Sequence, residues 1–505
     1  MGLRDFTLYD VVARNARLYP ERAAFIVDGR RITHADYMAR VEHLAAGLAA
    51  AGIAPGERIA VLAQNSLEYV DLYGAAARLG AILVPVNWRL STDEIAYVIA
   101  DTTPKAIVAD AEYQAGIAAA REHFAFTRAY YAIGDHAAPF APFARLYASG
   151  ARGPAADIAA DSSYVILHTA AVGGQARGAL LSHRGLLAAN LQSLHYLGLG
   201  SEDVNLGALP LYHIAGLGLM LAVQHAGGAT VVLRRFDPEA AARRIESDRV
   251  TLFGEFAPML GTLLDQAAQG GNDLSSLRAV TGLDSPETMA RFEAACPRAR
   301  FWVGFGQSET SGFVTLAPYR EKPGSAGRPT LLNTVAVVDD NDRPLPAGQT
   351  GEIVVRGPMV FEGYWNRGAD NAFTFRNGWH HTGDLGRFDE QGYLWYAGRS
   401  PAKELIKPGG ENVYPAEVEK LILEHPAITE AVVLGVPDAQ WGEAVKAVCV
   451  CKPGRQVSAA ELIEFVGGRI ARYKKPRHVV FVEGLPKTAA GAVDRARIKE
   501  LYGGA

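Results

Sequence analysis

Three short stretches of this chain combine glycine with side chains that handle phosphate, sugar or metal. Residues 168–178 read HTAAVGGQARG. Small residues with a hydroxyl and a cation let backbone N–H groups wrap a phosphate while a positive charge compensates it, although a structural glycine turn looks the same. Residues 304–310 read GFGQSET. There Phe305 suits stacking on a base, Ser308 a phosphate contact and Glu309 a divalent cation; the alternative is a polar strand end with a cap. Residues 378–384, GWHHTGD, carry Asp384 in what reads as a glycine-bounded turn. A carboxylate there suits a ribose diol, because it accepts from both hydroxyls. Arg399 is a candidate for the ribose or a phosphate. Adjacent histidines point apart, so His380 and His381 are not expected to form a metal site.

Rigid elements must position these residues. Residues 33–51 place Tyr37, Val41, Leu44 and Leu48 at helical spacing, 58–62 reads as a strand, 66–79 as a helix and 81–85 as a strand. After residue 160 come a strand at 164–168, a helix at 184–195 and strands at 230–233, 252–254 and 300–303. The first glycine stretch is thus expected to follow a strand and precede a helix. Such alternation implies α/β architecture, a large N-terminal domain of mostly parallel sheets covered by helices. Residues 334–356 read as a small β unit attached to it. A boundary is expected at 398–408, followed by a helix (415–423), strands (428–436 and 445–451), a helix (459–470) and a strand (478–482). The expected domains are therefore 1–400 and 401–505, the second a small α+β unit.

Composition narrows the class. A chain of 505 residues is too long for one hydrophobic core. The apolar content of 49% and charged content of 21% suit a globular protein. A net charge of −4 argues against a nucleic-acid partner. Cys296, Cys449 and Cys451 are read as buried or half-buried thiols of a reducing compartment, not as a zinc set. No signal peptide or transmembrane segment is evident, so a cytoplasmic protein is expected.

In order and spacing, the three stretches together resemble the adenylate-forming superfamily of acyl-CoA synthetases, luciferases and peptide-synthetase adenylation domains. The resemblance covers nearly the whole chain. It extends through residues 209–217 (LPLYHIAGL), 324–329 (GSAGRP), 351–357 (GEIVVRG), 404–415 (ELIKPGGENVYP), 473–476 (YKKP) and 485–491 (LPKTAAG). It implies an AMP-forming acid–CoA ligase of fatty-acid metabolism type, using ATP, Mg²⁺ and coenzyme A, with a mobile C-terminal domain. A carboxylate attacks the ATP α-phosphate, giving an acyl-adenylate and pyrophosphate; the coenzyme A thiolate then displaces AMP. By resemblance, Phe305 flanks the adenine with Gly306 and Gln307 beside it, Ser308 meets the α-phosphate and Glu309 binds Mg²⁺. Asp384 and Arg399 hold the ribose; Thr169, Gly173, Gly174 and Arg177 shield the outer phosphates. Asp284 and Ser285 fall in the nucleotide-site wall. Tyr212, His213, Gly216, Gly282 and Gly304 line the acid site, Lys403 is the hinge, and Lys407, Gly409 and Gly410 face the thioester-forming site.

Two departures from the family pattern matter. Ala170, Ala171 and Val172 replace hydroxyl residues of the phosphate loop, and Arg177 stands where lysine is usual. More sharply, Ala492 follows Gly491 where the family has the lysine that reaches both carboxylate and α-phosphate. A methyl group cannot bridge two anions, so adenylation is expected to be severely impaired while thioester formation from a supplied adenylate survives. The alternatives are an adenylate former serving a carrier protein and a catalytically silent acid- or nucleotide-binding homologue. The expected substrate is a medium-chain, alicyclic or aromatic monocarboxylate, and a homodimer is the expected assembly.

Overall fold

The computed structural model describes residues 2, 5–147, 152–154, 157–169, 176–399, 405–487 and 493–504. The expected sites Gly173, Gly174, Lys403 and Ala492 lie outside the described residues.

Among the described residues, two large sheets form the body of the N-terminal domain. An eight-stranded sheet centres on Arg58–Leu62, which pairs in parallel with Ile82–Pro85 and Ala106–Asp110. A nine-stranded sheet centres on Val204–Gly207, Leu252–Phe256, Ala279–Leu283 and Arg300–Gln307, again parallel. Helices His34–Ala50 and Leu67–Leu79 lie between the two sheets in one core, with Phe25 and Val232 on one side and Ile59, Leu83 and Val165 on the other. Leu67–Leu79 is buried on almost every face. This is why its sequence, YVDLYGAAARL from Tyr69 onward, lacks a polar stripe. Its one buried charge, Asp71, is answered by Arg40 Nε at 2.9 Å and the Tyr147 hydroxyl at 2.6 Å. Burial nonetheless pushes Asp71 up to about 6.

A four-stranded antiparallel sheet (Thr334–Val338, Gly351–Arg356, His380–Phe388, Leu394–Arg399) is the expected small β unit, extended by two strands. Beyond it, Ile428–Asp438, Gly442–Cys451 and His478–Phe481 form a three-stranded sheet with helices Pro415–Leu423 and Ala459–Gly467. The sheet is covered on both faces: Cys449 packs in one cluster, Val448 and Val450 in another. Helix Arg495–Tyr502 was not expected; its Ile498 completes the second cluster.

Three local expectations need correction. The first glycine stretch does not run from strand to helix. Ser163–Thr169 and Arg177–Ser182 pair as an antiparallel hairpin, Thr169 opposite Arg177, and helix His183–Leu197 starts only afterwards. The cause is a strand alternation: Ala179 and Leu181 enter one core while Leu180 packs against another. Second, the strand beginning at Arg300 runs on to Gln307, carrying Gly304, Phe305 and Gly306 within it. A Cβ at Gly304 would lie 2.3 Å from the Thr315 carbonyl oxygen, and one at Gly306 2.2 Å from that of Gly312, so only glycine permits this pairing. Third, Asp384 sits within strand His380–Phe388 rather than in a turn.

The two inter-sheet helices touch at Gly74, where a Cβ would fall 2.3 Å from Val41 Cγ2 and 2.7 Å from the Tyr37 hydroxyl. Gly74→Ala should therefore lose about 1–3 kcal/mol to overpacking, outweighing the gain of about 1 kcal/mol in helix propensity. The expected outcome is a lower thermal unfolding midpoint; an unchanged or raised one would mean that the helices separate freely.

Candidate active site

The site lies at the seam between the two large sheets. Thr169 ends a strand of the eight-stranded sheet, and Glu309 sits in the turn Ser308–Thr310 that ends Arg300–Gln307 of the other. Across the seam, Thr169 Oγ1 donates to Glu309 Oε1 at 3.0 Å, and the Tyr364 hydroxyl donates to the same oxygen at 2.9 Å. The Arg177 guanidinium covers the Tyr364 ring at 4.0 Å and meets Asp370 at 3.6 Å. Ser308 opens the turn beside Glu309. Burial, then the nearby Glu309 charge, push the Tyr364 phenol well above its ordinary range, so it stays a donor. Both stems of the glycine stretch are pinned: His168 Nε2 lies 3.4 Å from Asp101, and the Tyr97 hydroxyl donates to the Ala176 carbonyl at 2.9 Å.

A second cluster surrounds Asp384. Gln307 Nε2 donates to Asp384 Oδ2, the Tyr396 hydroxyl to Oδ1 at 3.2 Å, and Arg399 Nε lies 3.5 Å from Oδ1. Phe305 and Tyr396 lie nearly parallel, ring centroids 6.2 Å apart at 27°. His380 and His381 do diverge: His380 faces Thr374 and Gln307, His381 faces Glu352.

The third cluster joins the domains. Glu411, on the turn after Pro408–Gly410, is buried among groups of the large domain. It accepts from Arg89 Nη1 at 2.8 Å and Asn87 Nδ2 at 3.1 Å, with the Tyr212 hydroxyl at 3.3 Å and His213 Nε2 at 3.4 Å. Burial alone raises a carboxyl, but His213 and Arg89 outweigh it and hold Glu411 at about 2. Gly409 and Gly410 have φ of +57° and +83°, conformations that favour glycine. A Cβ on Gly410 would stand 3.2 Å from Phe256, and Gly409 donates its N–H to the Trp441 carbonyl at 2.9 Å. Lys407 N–H bonds Glu443 within the small domain. Lys474 of the small domain bridges Glu94 and Glu417.

The acid-site candidates do not all converge as expected. Tyr212 and His213 meet at Glu411. Gly216 packs under the carbonyls of Leu209 and Pro210, its Cβ position 2.4 Å from the latter. Gly282 lies against Glu255: a Cβ there would be 2.7 Å from Glu255 Oε1. Burial first, then neighbouring Asp284, push the Glu255 carboxyl well above the usual carboxylate range. Asp284 is thus half of a carboxyl pair, and Ser285 Oγ caps helix Pro286–Ala295 at 3.1 Å from the Thr288 N–H. Reasoning from sequence missed Tyr364, Tyr396, Asn87, Arg89 and Glu255. Glu411 stood inside the quoted ELIKPGGENVYP run without a role. No local pattern distinguishes the others.

Comparison with known proteins identifies the family. Residues 12–365 match the AMP-binding enzyme family, and residues 417–492 match the AMP-binding enzyme C-terminal domain. An indoleacetate–CoA ligase of Aromatoleum aromaticum is 36% identical over 98% of both chains. A feruloyl-CoA synthase of an Amycolatopsis species is 34% identical, covering 97% of this chain and 98% of its own. A Bacillus subtilis o-succinylbenzoate CoA synthetase double mutant, solved with its product analogue OSB-NCoA, superposes with a TM-score of 0.87 at 28% identity, over 98% of both chains. With both halves of the family pattern matched along its length, the chain belongs to the AMP-binding, adenylate-forming enzymes, among their AMP-forming acid–CoA ligases.

Proposed function

We propose that this enzyme joins coenzyme A to an acid carrying an aromatic ring, and that the arrangement seen here is the thioester-forming one. One observation carries the reading: the Gly409–Gly410–Glu411 turn is seated against Phe256 and against Tyr212 and His213, two of the residues assigned to the acid. The overlap with the product-analogue complex, spanning both domains, supports the same arrangement. The aromatic preference rests on the indoleacetate and ferulate relatives.

In this reading Phe305 and Tyr396 offer the adenine an aromatic face, and Asp384 with Arg399 holds the ribose. Arg177 and Thr169 meet the phosphates. Glu309 would hold Mg²⁺ together with substrate phosphates; a hard cation suits a single carboxylate and hydroxyl oxygens, and its charge would offset phosphate repulsion. No group of three or more His, Cys, Asp or Glu suited to a metal occurs among the described residues, so the substrate must supply further oxygens. The carboxylate oxygen attacks the α-phosphorus and pyrophosphate leaves. In the second step the thiol sulfur attacks the acyl carbon and AMP leaves with the carbon–oxygen bond electrons. Gly409 and Gly410, which carry no side chain, would let the thiol arm approach the backbone. We place the domain boundary at residues 400/401 and the hinge at Lys403.

The missing lysine at position 492 then limits the first half-reaction. Lys487, the nearest substitute, is engaged by Glu430 of its own domain at 2.6 Å. Restoring it by Ala492→Lys should raise AMP release with ATP, Mg²⁺, coenzyme A and an arylalkanoic acid by about 10²-fold or more. Equal rates in both proteins would refute this assignment of Ala492, and AMP formation without coenzyme A consumption would point to a carrier-protein acceptor.

Glu411 couples the domains through charge. Its ordinary value is 4.5 and its value here is about 2. A lowered acid stabilises the contact fully above pH 4.5, and that contribution drains away as pH falls toward 2. Glu411→Gln should loosen the seated arrangement at neutral pH, seen as faster amide exchange at Tyr212 and His213 with the rest of each domain unchanged. Identical exchange in the two proteins would show that the turn is held by packing on Phe256 alone.

A further inference from the structure

The inner end of the acid wall holds an unclaimed polar atom. Strands Val204–Gly207 and Leu252–Phe256 and the first turns of helix Ile214–Ala226 enclose a void of about 10 Å³, lined by Asn205, Gly207, Leu209, Gly216, Leu219 and Gly254. Gly216 is one helical turn past His213, so the void continues the wall that Tyr212 and His213 begin. Asn205 is 2% exposed, and its buried Oδ1 has no hydrogen-bond partner. A buried acceptor without a donor is costly, and such a group strongly favours a ligand that supplies one.

The space above this atom is built to be opened. A Cβ on Gly254 would lie 2.2 Å from Leu219 Cδ1 and 3.1 Å from Leu209 Cδ1, so the leucines occupy what glycine leaves open. Phe313 packs with Leu219 in the same apolar cluster. Leu219 is only partly buried. Its side chain has other staggered rotamers. The void has glycine backbone on one side and leucine side chains on the other.

We propose that, with Leu219 turned to another rotamer, this void opens into a slot that takes the far end of the acid, that Leu219 is its gate, and that Asn205 Oδ1 accepts a hydrogen bond from a hydroxyl or ring N–H there. The proposal rests on the acid–CoA ligase reading and narrows it to aromatic acids with a distal donor. Asn205 is then a specificity-determining residue rather than a catalytic one.

Matched acids that differ only in the donor test this, for example 3-(4-hydroxyphenyl)propanoate against 3-(4-methylphenyl)propanoate. Binding is measured by calorimetry on the full chain with AMP present, and kcat/KM in the Ala492→Lys background. The hydroxy acid should win by about tenfold or more. In Asn205→Leu the preference should vanish or reverse, with the methyl acid bound as well as before. In Leu219→Ala the donor preference should persist while bulkier rings are accepted. A ratio near one in the unaltered chain overturns the proposal without any variant, which covers the case in which Asn205→Leu does not fold. The same ratio in the unaltered chain and Asn205→Leu overturns it too, because the void then holds no more than a structural contact. Turnover that is blind to the donor defeats this inference alone; no AMP from any acid defeats the ligase reading and this one with it.

Discussion

The active site depends on a helix with no water side. Leu67–Leu79 lies with His34–Ala50 between two sheets, and the close approach at Gly74 leaves the pair no slack. Together they set the separation of the sheets. Thr169 belongs to one sheet and Glu309 follows a strand of the other, so the 3.0 Å hydrogen bond between them is a consequence of that packing. The same helix reaches the acid wall: the Tyr73 hydroxyl donates to the Leu211 carbonyl at 2.7 Å. Asn65, just before the helix, brackets the segment by bonding the Leu209 carbonyl and the Leu211 N–H. A close-packed core transmits position in this way because it can neither compress nor slide cheaply.

On that frame the enzyme arranges carboxylates, each for a different end. Glu309 is held by two hydroxyl donors, which orient an anion suited to a cation. Asp384 is gripped by an amide, a phenol and a guanidinium, which fix the orientation of its oxygens. Glu255, under Gly282, is raised well above the usual carboxylate range by burial and by Asp284.

Glu411 differs because its partners lie on the other domain. Removing a buried charge from its counter-charges costs several kcal/mol, so this carboxylate registers the small domain against the large one. Tyr212 and His213 thus take part in the contact between the two domains.

Much of this was legible in the chain itself. Local periodicity placed Arg58–Leu62 and Pro415–Leu423, and short-range order identified the stretches around Thr169, Glu309, Asp384 and Gly409, along with the alanine at 492. Such features are local: a helix face, a strand alternation or a glycine loop is written within ten or so residues. Tertiary structure alone decided that Tyr364 and Thr169 share one oxygen of Glu309, that Asn87 and Arg89 await Glu411, and that Glu255 faces Asp284. It also turned 163–182 into a hairpin and carried the strand from Arg300 through Phe305, because glycines at 304 and 306 admit neighbouring carbonyls. The physical reason is convergence: hydrogen-bond partners hundreds of residues apart leave no mark on local spacing, and only the packing of the two sheets around the buried helices brings them together.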